Sequence, residues 1–236
     1  MKNVWAIATR EFGSYFLSPI GYLVTAVFVF GSGLLFWLIL QSSREASLRQ
    51  LIQNVFVIFL FVIPIISMRL LAEEQRTGTM ELLMTNPVQE WEIVVGKFVG
   101  SALLILCMLV ATVLFPIFLF VFGSPDAGPI LTGYLGALLQ GSAFLAIGLF
   151  ISSVTDSQVV SAIVTFVLLL ALWLADSIGT ASGGAFGTII SYVSLITRIQ
   201  GFSQGVVDSK DLIFYLTVIA AGIILSALSV QSRRYR

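Results

Sequence analysis

FVGSALLILCMLVATVLFPIFLFVFGSPDAGPILTGYLGALLQGSAFLAIGLFISSVTDSQVVSAIVTFVLLLALWLAD, residues 98–176, contains no Lys, Arg, Glu or His, and its only charges are Asp126, Asp156 and Asp176. No cation occurs between Lys97 and Arg198. A bilayer hydrocarbon core about 30 Å thick takes about 20 helical residues at a rise of 1.5 Å each. The stretch divides into spans over about 93–122, with Lys97 near its start and Pro116 inside, 131–154 and 158–176, and the three Asp fall at or near span ends. Working outward, 20–40 and 212–230 are uncharged, and 51–71 is apolar until Arg69, with Pro64 inside. The expected fold is therefore an all-α polytopic membrane protein with six transmembrane helices, forming one transmembrane domain over 1–236.

Composition agrees. Of 236 residues 58% are apolar and only 10% charged, and the mean hydropathy is +1.04. Soluble domains carry about a quarter charged residues. Twelve Lys and Arg balance twelve Asp and Glu, which argues against nucleic acid as a partner. The chain has no His, so it offers no imidazole base and no His-ligated metal, and Cys107 is its single cysteine. The N-terminus does not read as a secretory signal, because Arg10 and Glu11 break its apolar stretch.

Loop cations set the orientation. With the N-terminus inside, the inner segments hold Lys2, Arg10, Arg69, Arg76, Lys97, Arg233, Arg234 and Arg236, and the outer ones Arg44, Arg49, Arg198 and Lys210. Eight against four places both termini in the cytoplasm, as an even number of spans requires.

Residues 2–18 read as an interfacial amphipathic helix. At 100° per residue Trp5, Ala8, Phe12, Tyr15 and Phe16 share one face, and Lys2, Asn3, Arg10 and Ser14 the other. Ser18-Pro19 ends it. Between the second and third spans lies the densest charge cluster, Arg69, Glu73, Glu74, Arg76, Glu81, Glu90, Glu92 and Lys97. Within it Gly78-Thr79 suits a helix start, with Glu81 in the first turn. Asn86-Pro87 ends that short helix and starts the next, with Asn86 as N-cap and Gln89 as its capping-box partner. Met80, Leu83 and Met84 stand at i, i+3, i+4. They either fold against the ends of the chain's own spans or enter a groove on a cytoplasmic partner. The long segment 177–211 is rich in Gly and is expected to form short helices resting on the outer face.

Several chemistries are missing. Gly96-Lys97-Phe98 lacks the glycine spacing and the Ser or Thr of a phosphate-binding loop, and no G-x-S-x-G occurs. Asp156 and Asp176 lie about 30 Å apart along one helix and cannot share a proton. No carboxylate falls in mid-membrane for proton coupling. No catalytic, cofactor or metal residue is expected. The polar residues within the spans are mild: Gln140 and Ser142 in the fourth, with Ser152 and Ser153 near its end, and Gln158, Ser161 and Thr165 in the fifth. They serve either as packing between helices or, for Gln140, Ser142, Gln158, Ser161 and Thr165, as a weakly polar path for an amphipathic cargo.

The segment Glu73-Glu74-Gln75-Arg76-Thr77-Gly78-Thr79-Met80-Glu81-Leu82-Leu83, followed by Asn86-Pro87 and Gly96-Lys97, resembles the membrane subunits of ABC-2 type transporters, which carry a similar E-x-x-x-G-T-x-E-x-L-L-x-x-P stretch between their second and third spans. Glu11-Phe12, Tyr15 through Tyr22, and Gly205 through Leu212 look like the gliding-motility-associated permease group of that family. The resemblance implies a connecting helix over 2–18, a cytoplasmic coupling helix over 77–86, six spans and small outer helices. It implies an ATPase-coupling interface at Glu73, Glu74, Gly78, Thr79, Met80, Glu81, Leu83, Met84 and Pro87. It also implies a second permease subunit, identical or different, and two cytoplasmic ABC ATPase subunits that bind the ATP and Mg, with none held by this chain. The expected role is the permease half of an exporter in the plasma (inner) membrane of a prokaryote. A non-transporting scaffold that recruits a cytoplasmic partner and an ATP-independent channel or secondary transporter are the rival readings.

Overall fold

The computed structural model describes residues 2–43, 47–77, 89–182 and 195–233. Among them the regular elements are all helices: α1 (Lys2–Leu17), α2 (Pro19–Ser43), α3 (Arg49–Ser67), α4 (Ala72–Thr77), α5 (Glu90–Ala111), α6 (Leu114–Phe122), α7 (Ala127–Val154), α8 (Gln158–Ser182), α9 (Leu195–Ser203) and α10 (Ser209–Arg233). Six stretches are long and apolar enough to cross a membrane: α2, α3 with its continuation, α5 with α6, α7, α8 and α10. The all-α, six-span reading of the sequence is borne out.

α7 organises the bundle. Its apolar and small residues lie on every side, the pattern of a helix buried all round, and it packs against α3, α5, α8, α9 and α10. Phe144, Leu145 and Leu149 are fully buried there, as are Ile63 and Ile66 of α3 and Tyr215 of α10. Phe28 of α2 stacks on Phe59 of α3 with ring centroids 5.3 Å apart. The outward faces are apolar: Phe30, Leu34 and Trp37 on α2, Val159, Ile163 and Val167 on α8, Ile213 and Ile224 on α10 are all exposed. Apolar faces this extensive are stable against lipid and a liability against water.

The third crossing is not one rod. It breaks at Thr112–Val113, between α5 and α6. Pro116 has no N–H to give to the carbonyl of Thr112 one turn back. The Tyr134 hydroxyl, on α7, donates to that carbonyl at 2.9 Å, and Phe115 N donates to it at 3.0 Å. Removing such a bond costs about 1 kcal/mol. Tyr134→Phe is therefore expected to lower the thermal midpoint in detergent, whereas Tyr22→Phe, on an exposed side chain, leaves it unchanged. Equal melting of the two variants would show that the tyrosine does not brace the break.

Other boundaries differ from the sequence reading. α7 begins at Ala127, because Asp126 caps it with Oδ1 accepting from Gly128 N at 3.1 Å. α5 begins at Glu90, and its N-cap is Gln89, which forms a capping box with Glu92. The proposed assignment of Asn86 as cap and Gln89 as its box partner is thereby corrected: Glu92 stands three residues after Gln89 and returns its carboxylate to the Gln89 N–H at 3.3 Å. α8 continues to Ser182, past the expected end of its span. α9 does more than rest on the bundle end. Ile199 and Phe202 are buried, and Gln53 of α3 donates to Ser203 Oγ at 3.2 Å. Arg198 pairs with Asp211 at 2.9 Å and lies 3.9 Å over the Phe214 ring, fastening α9 to α10.

Candidate functional site

At the opposite end of the bundle, α1, α4 and the opening turns of α5 meet. α1 runs along α5 in the same direction. Asn3 Nδ2 donates to Glu92 Oε2 at 3.1 Å, and twelve residues on, the Tyr15 and Ser101 hydroxyls are hydrogen-bonded at 3.0 Å. Close approach needs two glycines. A Cβ on Gly96 would stand 2.7 Å from Ile7 Cβ, and one on Gly100 2.7 Å from both Ala8 O and Glu11 Cβ. Gly96 and Gly100 are one turn apart, the small-xxx-small spacing that lets two helix backbones touch.

Between these glycines Lys97 points into the junction, its side chain 5% exposed. Its Nζ is 3.1 Å from Glu11 Oε2 on α1 and 2.8 Å from Glu74 Oε1 on α4. A buried ammonium is costly unless paired and hydrogen-bonded, and here two carboxylates from two other elements hold it. α5 and α6 together run 33 residues, about 50 Å at 1.5 Å per residue and longer than a hydrocarbon core of about 30 Å. If Phe122 marks one boundary, the turn carrying Lys97 stands beyond the other.

Further bonds complete the junction. Arg69, in the turn after α3, places Nε 2.8 Å from Glu73 Oε2 and donates from Nη1 to Ser18 Oγ at 3.3 Å, joining that turn to the bend between α1 and α2. Ser152 Oγ, near the end of α7, accepts from Leu71 N at 3.1 Å and Ala72 N at 3.0 Å, satisfying donors at the start of α4. Gln75 Nε2 and Ser229 Oγ both donate to Ser153 O, at 3.0 and 3.1 Å, so the last turns of α10 lie at this end too. Burial, reinforced by the Glu11 carboxylate, raises the Tyr15 phenol above its ordinary value, so it stays protonated. A cavity of about 260 Å³ opens between α1, α4 and α5.

Of the residues singled out for partner coupling, Glu73 and Glu74 fall here. Gly78, Thr79, Met80, Glu81, Leu83, Met84 and Pro87, and most of the 77–86 helix, lie outside the described residues. The five polar residues of the cargo path are on α7 and α8. Gln140, Ser161 and Thr165 are fully buried, and their side-chain polar atoms have no hydrogen-bond partner among the described residues. Ser142 is buried and Gln158 half-buried. No hydrogen bond joins the five, and none of them lines the cavity at the α1–α5 junction. Among the described residues no cluster of metal-ligating side chains converges.

Sequence reasoning missed Lys97, Glu11, Gly96, Gly100 and Ser152 as parts of one site. Two signals were available: the glycine spacing around Lys97, and an acid, Glu11, beside Ala8 and Tyr15 on the apolar side of α1.

The family described as ABC-2 family transporter protein matches over residues 5–184, from α1 through α8. The chain belongs to the ABC-2 family. It is a multi-pass membrane protein of that transporter family, and the matched region contains Glu11, Glu74, Gly96, Lys97 and Gly100 of the junction. It is similar to the probable multidrug ABC transporter permease YbhR of Escherichia coli K12, 30% identical over 99 residues, which are 42% of this chain and 26% of that protein. The YbhR of Escherichia coli O157:H7 matches to the same extent. The match thus spans about a quarter of the length of these curated relatives.

Proposed function

We propose that this ABC-2 chain is the membrane-spanning permease subunit of an ABC exporter in the plasma (inner) membrane of a prokaryote, with both termini cytoplasmic. It moves an amphipathic, lipid- or polysaccharide-like cargo. ATP and Mg are bound and used on two separate cytoplasmic ATPase subunits, and a second permease subunit, the same or different, completes the path. The observation that carries this reading is the Lys97 bridge. α4 stands immediately before residues 78–87 in the chain, and Glu74 on α4 shares one ammonium with Glu11 on α1. A push on the loop is therefore felt by α1 and α5 together, and the break at Thr112–Val113 lets the inner half of that crossing tilt against the outer half. The apolar faces of α2 and α8 suit a second subunit at their outer halves and lipid elsewhere. Gln140, Ser142, Gln158, Ser161 and Thr165 are read as the polar wall of the path. Buried polar atoms normally have partners, and those left without one here would find them in a cargo or in the alternate state.

The test is Leu83→Ala with Met84→Ala. Truncated interface anchors cost about 1–3 kcal/mol each, so with ATPase below saturation the cargo-stimulated ATP turnover of the reconstituted complex is expected to fall at least about thirtyfold while membrane insertion is unchanged. A cysteine at position 83 is expected to crosslink to the ATPase. Full cargo-coupled turnover with no crosslink would remove the loop from the coupling role. A scaffold would show no cargo-dependent hydrolysis, and a channel would pass cargo without any ATPase.

A further inference from the structure

Three hydroxyls meet at the break in the third crossing, and their protons do not match their acceptors. Tyr134 of α7 gives its one hydroxyl proton to the carbonyl of Thr112, at 2.9 Å, and Thr112 gives its own to the carbonyl of Leu109, at 2.7 Å. The two hydroxyl oxygens stand 3.1 Å apart, farther than either is from its carbonyl. With both protons directed at the carbonyls, none is left to lie between the oxygens, and lone pairs face lone pairs. Ser32 of α2 has the opposite shortage. It is fully buried and its Oγ has no hydrogen-bond partner, so its proton lacks an acceptor. A buried hydroxyl costs free energy until it is bonded.

Ser32, Thr112 and Tyr134 line one cavity of about 20 Å³, and they are the polar side chains on its wall. Leu51, Val55 and Leu109 close much of the rest, each buried. One water needs at least about 10–15 Å³ of such room and two to four polar partners. The cavity offers both. No charged side chain lines it to hold an ion, and the end of an acyl chain would leave all three hydroxyls as they are.

We propose that this cavity holds one ordered water, which accepts the Ser32 proton and donates its own two to Tyr134 Oη and Thr112 Oγ1. Three hydrogen bonds are the usual complement of a buried water, and here they supply each hydroxyl with the partner it lacks. The water joins α2 to the break between α5 and α6. It can turn and shift while keeping its bonds, so it braces the break without fixing its angle, as a direct bond between side chains would. The site rests on this chain alone and not on transport, and its test uses neither ATP nor cargo.

The sign of one substitution separates a wet cavity from a dry one. In a dry cavity Ser32→Ala removes an orphaned buried hydroxyl and raises the thermal midpoint in detergent, the more so because Ala is the better helix former. With the water in place the same change deletes a bond, and the midpoint is expected to fall by about 2–4 °C. X-ray radiolytic labelling of the purified chain reads the water itself, because hydroxyl radicals formed from a bound water mark the side chains beside it. Tyr134 is expected to be labelled well above Tyr215, which is fully buried and does not line this cavity. Ser32→Ala is expected to cut the Tyr134 labelling and leave that of Tyr215 unchanged. A midpoint equal to or above wild type in Ser32→Ala would overturn the water. So would Tyr134 labelling that the variant does not lower, or wild-type labelling of Tyr134 no higher than that of Tyr215.

Discussion

Lys97→Met is expected to be among the most damaging single substitutions in the described structure. It removes the ammonium that Glu11 and Glu74 share, their side chains being 17% and 22% exposed, and brings two carboxylates close together in a mostly buried space without it. Breaking a buried pair by deleting one partner costs about 3–5 kcal/mol, and the residual exposure here puts the expected loss at about 3 kcal/mol. The penalty comes from the stranded charges more than from the bond. Adding Glu11→Gln and Glu74→Gln to Lys97→Met is therefore expected to restore much of the lost stability, because neutral groups tolerate that space. Thermal unfolding followed by circular dichroism in detergent measures both. A single variant as stable as wild type, or a triple variant no better than the single, would mean that the Lys97 bridge does not hold α1 and α4 to α5. On the coupling role proposed above, the triple variant is expected to be folded yet poorly coupled, since neutral side chains no longer tie α4 to α1.

Gly100→Val should act on the same junction by a different route. A Cβ at residue 100 meets the carbonyl oxygen of Ala8 at 2.7 Å and Glu11 Cβ at 2.7 Å. A backbone carbonyl cannot swing aside as the end of a side chain can, so α1 must move as a body. Overpacking of this kind costs about 1–3 kcal/mol. It also draws Glu11 away from Lys97 and Tyr15 away from Ser101, which takes the total to the upper end. Gly13→Val is the control, because a Cβ on Gly13 meets nothing within 4 Å. Hydrogen exchange across residues 2–17 is expected to speed up strongly in Gly100→Val and hardly at all in Gly13→Val. The same exchange in both would show that α1 is not held by close contact with α5.

Much of this was legible in the residues. The charge-free runs, the helix at 2–17 and the bend at Ser18-Pro19 follow from local chemistry, and so does the six-span class, whereas 93–122, with Pro116 inside, reads from the sequence as one unbroken span. The hydrocarbon core demands about 20 apolar residues in a row whatever surrounds them, and proline removes a donor wherever it sits. These are one-dimensional constraints, so a one-dimensional reading recovers them. Orphaned groups at helix ends are nearly as local, yet Gln89 rather than Asn86 caps α5, because both have a plausible partner downstream and only the fold chooses between them.

What the tertiary structure decided is which helix receives which face. Lys97 and Glu11 are 86 positions apart, and nothing near either residue says that they meet. Gly96 and Gly100 announce a close helix contact, but not that α1 rather than a neighbouring span fills it. Ile199 and Phe202 become core only because α9 packs between helices distant in sequence, and Tyr134 finds the carbonyl left free by Pro116 only because α7 crosses there. In lipid the apolar side chains are equally at ease outward or inward, so hydrophobicity places the helices in the membrane without ordering them. Their neighbours are chosen by steric fit and by the few polar groups that must find partners, and both depend on the whole arrangement at once.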